Sequence, residues 1–231
     1  MTASAAETGP QPQRVVLLHG LSRTRRSMAR LEQALAGAGY EVVNWDYPSR
    51  RHSVAELVEL FRSFCATELA QQPKHTHFVG HSLGGLLIRA GLTGHDPGFP
   101  LGRLVLIASP NRGAGIISRL TATRLLADLP RLFGRPALEL GRDAAWLGEI
   151  GMPAAEIGVI AGTKGFHPLN PASWINSLLA GEVPHDGTVE LDSAMLPGMT
   201  DFLSLPLAHT FICDDARTIT AVLHFLQHGR F

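Results

Sequence analysis

The stretch Thr76-His77-Phe78-Val79-Gly80-His81-Ser82-Leu83-Gly84-Gly85-Leu86-Leu87 decides how the rest of this chain is read. Residues 76–80 form an apolar run of strand length, and residues 84–92 continue as a small-residue helix. Between them lies a G-x-S-x-G pentapeptide, Gly80-His81-Ser82-Leu83-Gly84. The bare pattern recurs by chance in many chains, so its force comes from the strand before it and the helix after it. In that context the serine is forced onto a sharp strand-to-helix turn, its hydroxyl above the sheet and the following N–H groups facing developing negative charge. Glycine is needed at 80 and 84 because a side chain there would collide with the tight turn.

Working outward, strand and helix patterns alternate. Arg14–Leu18 is a β-branched and Leu run that stops at His19-Gly20. Residues 27–38 carry Met28, Leu31, Leu35 and Ala38 at helical steps, with Gly37 and Gly39 as the stop. Glu41–Trp45 reads as a second strand. Ser53, with Glu56 three residues on, opens a helix through Val54, Leu57, Leu60, Phe61, Phe64 and Leu69. Further strands are expected at 103–108, 157–161 and 201–205, and an amphipathic helix at 215–227 closes the chain. Such alternation predicts one α/β domain over 14–231, a mostly parallel sheet of about six strands with helices on both faces. Residues 1–13 are set aside as a flexible arm. Residues 111–151 break the rhythm with Ile116, Ile117, Leu120, Leu125, Leu126, Leu129 and Leu132, which predicts a short helical cap insertion.

A serine is a weak nucleophile and requires a base, and the base requires a partner that fixes its tautomer. Of 11 histidines, His209 directly follows the last predicted strand, where such folds carry the base. His167 and His185 precede that strand, and His224 and His228 lie inside the closing helix. The acid belongs between serine and histidine in chain order. Asp186, in Pro184-His185-Asp186-Gly187-Thr188-Val189, fits a tight turn that aims its carboxylate back at a ring; Asp192 is its rival. Asp201 and Asp214 read as strand-end and helix-capping residues, and Asp46 precedes the nucleophile. The backbone N–H groups of Leu21 and Leu83 are the expected oxyanion donors. His19 is expected to support the loop beneath Leu21. His81 is expected to pack or hydrogen-bond beneath the turn, and is carried with Leu125, Leu126 and Leu129 as a candidate for the substrate pocket.

These segments together resemble the α/β-hydrolase superfamily, in particular its small bacterial lipase-like and esterase-like members. The likeness runs from Val15 onward on Val15-Val16-Leu17-Leu18-His19-Gly20, Gly80-His81-Ser82-Leu83-Gly84-Gly85, Ser109-Pro110-Asn111-Arg112-Gly113, Asp186-Gly187-Thr188-Val189 and His209-Thr210. It implies hydrolysis of carboxylic esters through an acyl-serine, without a cofactor. Some related lipases hold a structural calcium near the acid, but no additional carboxylate pattern here assigns one. The same machinery runs thioester, amide and acyl-transfer chemistry. A catalytically silent binding module of the same fold is the alternative from another class.

Composition narrows the partners. Twenty Lys+Arg balance 20 Asp+Glu, so no global field gathers nucleic acid. Arg23, Arg25, Arg26, Arg50, Arg51 and Arg62 make the first third locally basic. They are expected to form a solvated face, with weak attraction to anionic substrates or membrane surfaces as the second reading. The expected partner is a small-molecule or lipid ester. No apolar run has transmembrane length, and the opening residues do not read as a secretory signal, so a cytoplasmic location is expected. Cys65 and Cys213 are expected as free, half-buried thiols.

Overall fold

In the computed structural model, which describes residues 13–124, 126–168 and 171–231, six parallel strands form one sheet in the order β2-β1-β3-β4-β5-β6. They are β1 (Arg14–Leu18), β2 (Glu41–Trp45), β3 (Thr76–His81), β4 (Leu101–Ile107), β5 (Ile157–Gly162) and β6 (Asp201–Leu205). Successive side chains along a strand point to opposite faces, and both faces here are apolar. Val16, Leu18, Phe78, Leu104 and Leu106 join one cluster with Leu57 and Phe61 of α2 (Val54–Phe64) and Leu86 and Leu87 of α3 (Leu83–Leu92). Val15, Leu17, Val79, Val105 and Ile107 join the other with Leu31 and Leu35 of α1 (Ala29–Gly37) and Val222 and Phe225 of the last helix, Ala216–His228. Covering both faces is what makes the central strands continuous apolar runs.

Local signals set the element ends. Ser53 and Glu56 form a reciprocal capping box on α2, and Gly39, at φ +89°, ends α1 in the left-handed region. The α2 helix then continues as a π-turn over Cys65–Leu69. Between β4 and β5, residues 111–151 hold α4 (Gly115–Ala122), two 3-10 helices (Leu129–Phe133 and Arg135–Leu140) and α5 (Ala145–Glu149). Both roots of this insertion are tied to α3: Arg89 donates from Nη1 to the Asn111 carbonyl at 3.1 Å and from Nε to that of Gly151 at 3.1 Å.

Some expectations are corrected. Helices α6 (Pro171–Leu179) and α7 (Leu191–Ala194) stand where no helix was predicted. The cap of the last helix, α8 (Ala216–His228), is Asp215 rather than Asp214, its carboxylate accepting the Arg217 N–H at 2.9 Å. Cys65 and Cys213 are free but fully buried, at 2% and 4% exposure. Arg62 does not belong with the other arginines, since its guanidinium spans from α2 to the Ala90 and Gly91 carbonyls of α3. Leu125 and the arm residues 1–12 lie outside the described residues.

The chain runs from β1 outward to β2, then returns to place β3 on the other side of β1. That reversal opens a crevice beyond the carboxyl ends of β1 and β3, the place where open α/β sheets bind ligands. The backbone is strained there. Ser22, Ser82 and Ala108, in the loops after β1, β3 and β4, have φ of +57°, +53° and +49°, and such outliers gather at functional sites. Among the described residues no helix is long and apolar enough to cross a membrane.

Candidate active site

Ser82 follows β3 directly and precedes α3, with φ +53° and ψ −118°. Its N–H donates to the Ile107 carbonyl of β4 at 2.9 Å, which fixes the turn to the sheet. The flanking glycines are sterically required: a Cβ on Gly80 would sit 2.5 Å from the Gly85 nitrogen, and one on Gly84 2.4 Å from the Leu18 carbonyl oxygen. Leu83 begins α3, so its N–H has no intrahelical acceptor. Among the described residues, neither the Leu21 nor the Leu83 N–H meets an acceptor.

Asp186 lies in the segment between β5 and β6 and His209 follows β6, and the two come together. Oδ2 of Asp186 accepts the Nδ1–H of His209 at 2.8 Å, while Oδ1 accepts the N–H groups of Thr188 and Val189 at 2.9 and 2.8 Å. A backbone bond from the His209 N–H to the Asp186 carbonyl, 2.9 Å, closes a second link. Gly187, at φ +101°, lets the chain turn tightly enough for this. The carboxylate is 1% exposed. Holding the proton on Nδ1 leaves Nε2 as the basic nitrogen.

Ser82, His209 and Leu21 line one cavity of about 410 Å³. Its wall is apolar, formed by Ile116, Ile117 and Leu120 of α4, Leu129, Leu140 and Ile175. Leu129 therefore stands on the wall, whereas Leu126 packs behind it against the Ala114, Ile116 and Leu120 cluster. His81 is not on the wall either. It is 4% exposed, its Nε2–H donates to the His209 carbonyl at 3.1 Å, and the two rings lie 4.8 Å apart. Burial, aided by the charges of His209 and Arg23, holds its pKa well below the usual histidine value. His81 is thus a neutral strut under His209, off the cavity wall.

His19 supports the opposite loop. Fully buried, it stacks on Tyr47 at 4.3 Å, and its carbonyl accepts the Tyr47 hydroxyl at 2.6 Å. Burial lowers its pKa, against the opposing pull of the Gly20 carbonyl and Asp46. Asp192 is taken up by Arg142, 2.6 Å away, and Asp201 by the Phe231 N–H at 2.7 Å. Of the other histidines, His185 accepts the Gly187 N–H at 2.9 Å, and His224 lies 2.8 Å from the Arg230 carbonyl.

Sequence reasoning missed Glu190. Only 1% exposed, its carboxylate accepts the Gly115 N–H at the start of α4 at 2.9 Å and pairs with Arg119. Arg119 also donates to Asn176 of α6 at 2.8 Å. This ion pair, with a buried carboxylate and a part-exposed guanidinium, joins the loop before α7 to the helix that walls the cavity. Among the described residues there is no group of three or more His, Cys, Asp or Glu side chains that could hold a metal.

A parallel sheet wrapped on both faces, with a strained serine after its third strand and a histidine after its last, defines the α/β-hydrolase class. Residues 15–229 match the alpha/beta hydrolase family, and the chain belongs to it. No match is found among curated proteins. Solved structures similar to it in fold include the mature lipase BlEst2 of Bacillus licheniformis, at 16% identity and TM-score 0.76, covering 96% of this chain and 94% of that one. EstA from Clostridium botulinum aligns at 13% identity and TM-score 0.65, over 97% and 88% of the two chains. The esterase RhEst1 from a Rhodococcus species aligns at 14% and 0.55, over 95% and 92%.

Proposed function

We propose that this hydrolase cleaves carboxylic esters through an acyl-serine intermediate. The single observation that carries the reading is the Asp186–His209 pair, 2.8 Å apart, in the same cavity as a serine held at φ +53°. His209 Nε2 takes the Ser82 proton as Oγ attacks the ester carbonyl, and the Leu21 and Leu83 N–H groups receive the oxyanion. Collapse of the tetrahedral adduct breaks the ester C–O bond, and the imidazolium returns its proton to the leaving alcohol. Water then attacks the acyl-serine with His209 again as base, releasing the acid and Ser82. Asp186 orients the ring and stabilises the imidazolium throughout.

Residues 111–151 act as a cap whose α4 face forms the acyl pocket, and the apolar wall of the cavity supports this. The lipase and esterase names of the similar structures point the same way. The test is turnover of p-nitrophenyl esters from short to long acyl chains, with Ser82→Ala as control. Hydrolysis abolished by the substitution is expected. Undiminished turnover in Ser82→Ala would overturn the reading, and turnover of matched thioesters or amides in preference to esters would redirect it within the family.

A further inference from the structure

We infer that the esters this chain hydrolyses carry an anionic group on the side opposite their hydrocarbon, received by a cationic cleft that adjoins the reaction cavity. The inference rests on the ester-hydrolase reading and narrows its substrate class. A second hollow of about 510 Å³ meets the cavity at Ser22 and Arg23, which line both. Where the reaction cavity is walled by Leu and Ile, the adjoining cleft is walled by Asp46, Ser49, Arg50 and Arg51 together with Arg23. Three arginines and one carboxylate thus line the cleft. That carboxylate is already engaged, since Asp46 Oδ1 accepts the Arg25 N–H at 3.0 Å and lies 3.2 Å from His19 Nε2.

Among the described residues, no acidic side chain lies within ion-pairing distance of Arg23, Arg50 or Arg51. Arg50 donates to the Leu132 carbonyl at 2.7 Å. Arg23 is the informative one. Its Nη2 lies 3.5 Å from the carbonyl of Thr210, the residue after the proposed base. An anionic group of the substrate placed there meets a cation that also borders the cavity of Ser82.

The loop that carries Arg23 is built rather than slack. Ser22, at φ +57°, donates its N–H to the buried Ser49 hydroxyl at 3.1 Å and its own hydroxyl to the Phe133 carbonyl at 2.6 Å. Three arginines line the cleft beside this loop, and a planar guanidinium suits carboxylate and phosphate oxygens. An ester with its acyl chain against α4 and an anionic alcohol portion beyond Arg23 uses both hollows at once.

The experiment compares 1-butyrylglycerol with 1-butyrylglycerol 3-phosphate, and methyl 4-butyryloxybenzoate with 4-butyryloxybenzoate. All are short-chain and monomeric, so adsorption to lipid plays no part. The readout is the ratio of kcat/KM for the charged to the neutral member, in the full chain and in Arg23→Gln and Arg51→Gln. In at least one pair we expect a preference of about tenfold for the charged ester, with that ratio falling toward one in Arg23→Gln and falling severalfold in Arg51→Gln. Raising NaCl to about 0.5 M should shrink it too. Arg51 is exposed and has no side-chain partner among the described residues, so its variant guards against a folding artefact. Preference in one pair only names the anion, phosphate or carboxylate, and supports the proposal. Equal rates within both pairs, or ratios untouched by both substitutions, overturn it and leave the esterase reading standing. Absence of Ser82-dependent turnover on p-nitrophenyl butyrate as well would overturn both.

Discussion

Asp186→Asn probes the proposed triad without removing a side chain. The oxygen Oδ1 is held by two backbone donors, the Thr188 and Val189 N–H groups at 2.9 and 2.8 Å, and Oδ2 by His209 Nδ1 at 2.8 Å. An asparagine must choose which side receives its NH2. Turning it toward the loop would set donor against donor at two buried amides, at about 1–3 kcal/mol each. The amide oxygen therefore stays on the loop and the NH2 faces His209, whose Nδ1 must become an acceptor. The proton moves to Nε2, the atom that has to take the Ser82 proton. Loss of the correct tautomer in serine-histidine-aspartate sites typically costs about 10⁴ in kcat, or about 5.5 kcal/mol of barrier. The fold keeps its hydrogen-bond count, so stability should fall by only about 1–2 kcal/mol. Initial rates on p-nitrophenyl butyrate near neutral pH, with a thermal melt on the same sample, read both quantities. A rate loss smaller than about tenfold in a folded variant would refute the argument, because the ring would then be oriented by something else.

Glu190→Gln keeps the shape of the side chain but removes the charge that Arg119 meets in a buried setting. We expect a loss of about 2 kcal/mol, a fall of about 4–8 °C in Tm by calorimetry; an unchanged Tm would mean the pair contributes nothing net. Two glycine-to-alanine changes should have opposite signs. Gly84→Ala places a Cβ 2.4 Å from the Leu18 carbonyl oxygen and should abolish folding or activity, whereas Gly37→Ala, with nothing within 4 Å, should stabilise α1 by about 0.5 kcal/mol in urea melts. Acid should destabilise the fold through its buried histidines. Burial, with the charges of His75 and Arg103, lowers the folded pKa of His77 from 6.5 to about 4. The unfolded chain therefore binds more protons below pH 6.5, so this contribution is full above 6.5 and is lost as pH falls toward 4. Between 6.5 and 5 it amounts to about 2 kcal/mol. Urea midpoints near pH 7 and pH 5 should converge in His77→Gln relative to the parent, and an identical drop in both would contradict the assignment.

The sheet was legible because burial on both faces writes itself as short apolar runs. Arg14–Leu18, Glu41–Trp45 and Asp201–Leu205 have the predicted bounds, and the others differ by one or two residues at their ends. The Ser53/Glu56 box marked the start of α2 because a cap is a local hydrogen-bond pattern. Helix α6 escaped notice because Gly165, Pro168 and Pro171 break the run that leads into it. Chain order singled out Ser82, Asp186 and His209 as candidates, since their strands fix where each loop emerges. Glu190 could not: its partner Arg119 is 71 residues away, and no local pattern joins a loop acid to an insertion helix. His81 sits inside the most informative motif, yet its bond to the His209 carbonyl depends on how two loops meet. The sequence also showed the Arg23, Arg50 and Arg51 cluster, but only the structure sets it against the cavity of Ser82.

The account stands most directly on Ser82 as an activated nucleophile. Intact protein should react with a fluorophosphonate probe at one equivalent per chain, and peptide mass mapping should find the adduct on Ser82. Asp186→Asn should slow labelling by orders of magnitude, and Ser82→Ala should abolish it. A folded protein that takes up no probe, or takes it up equally in Ser82→Ala, would contradict the account.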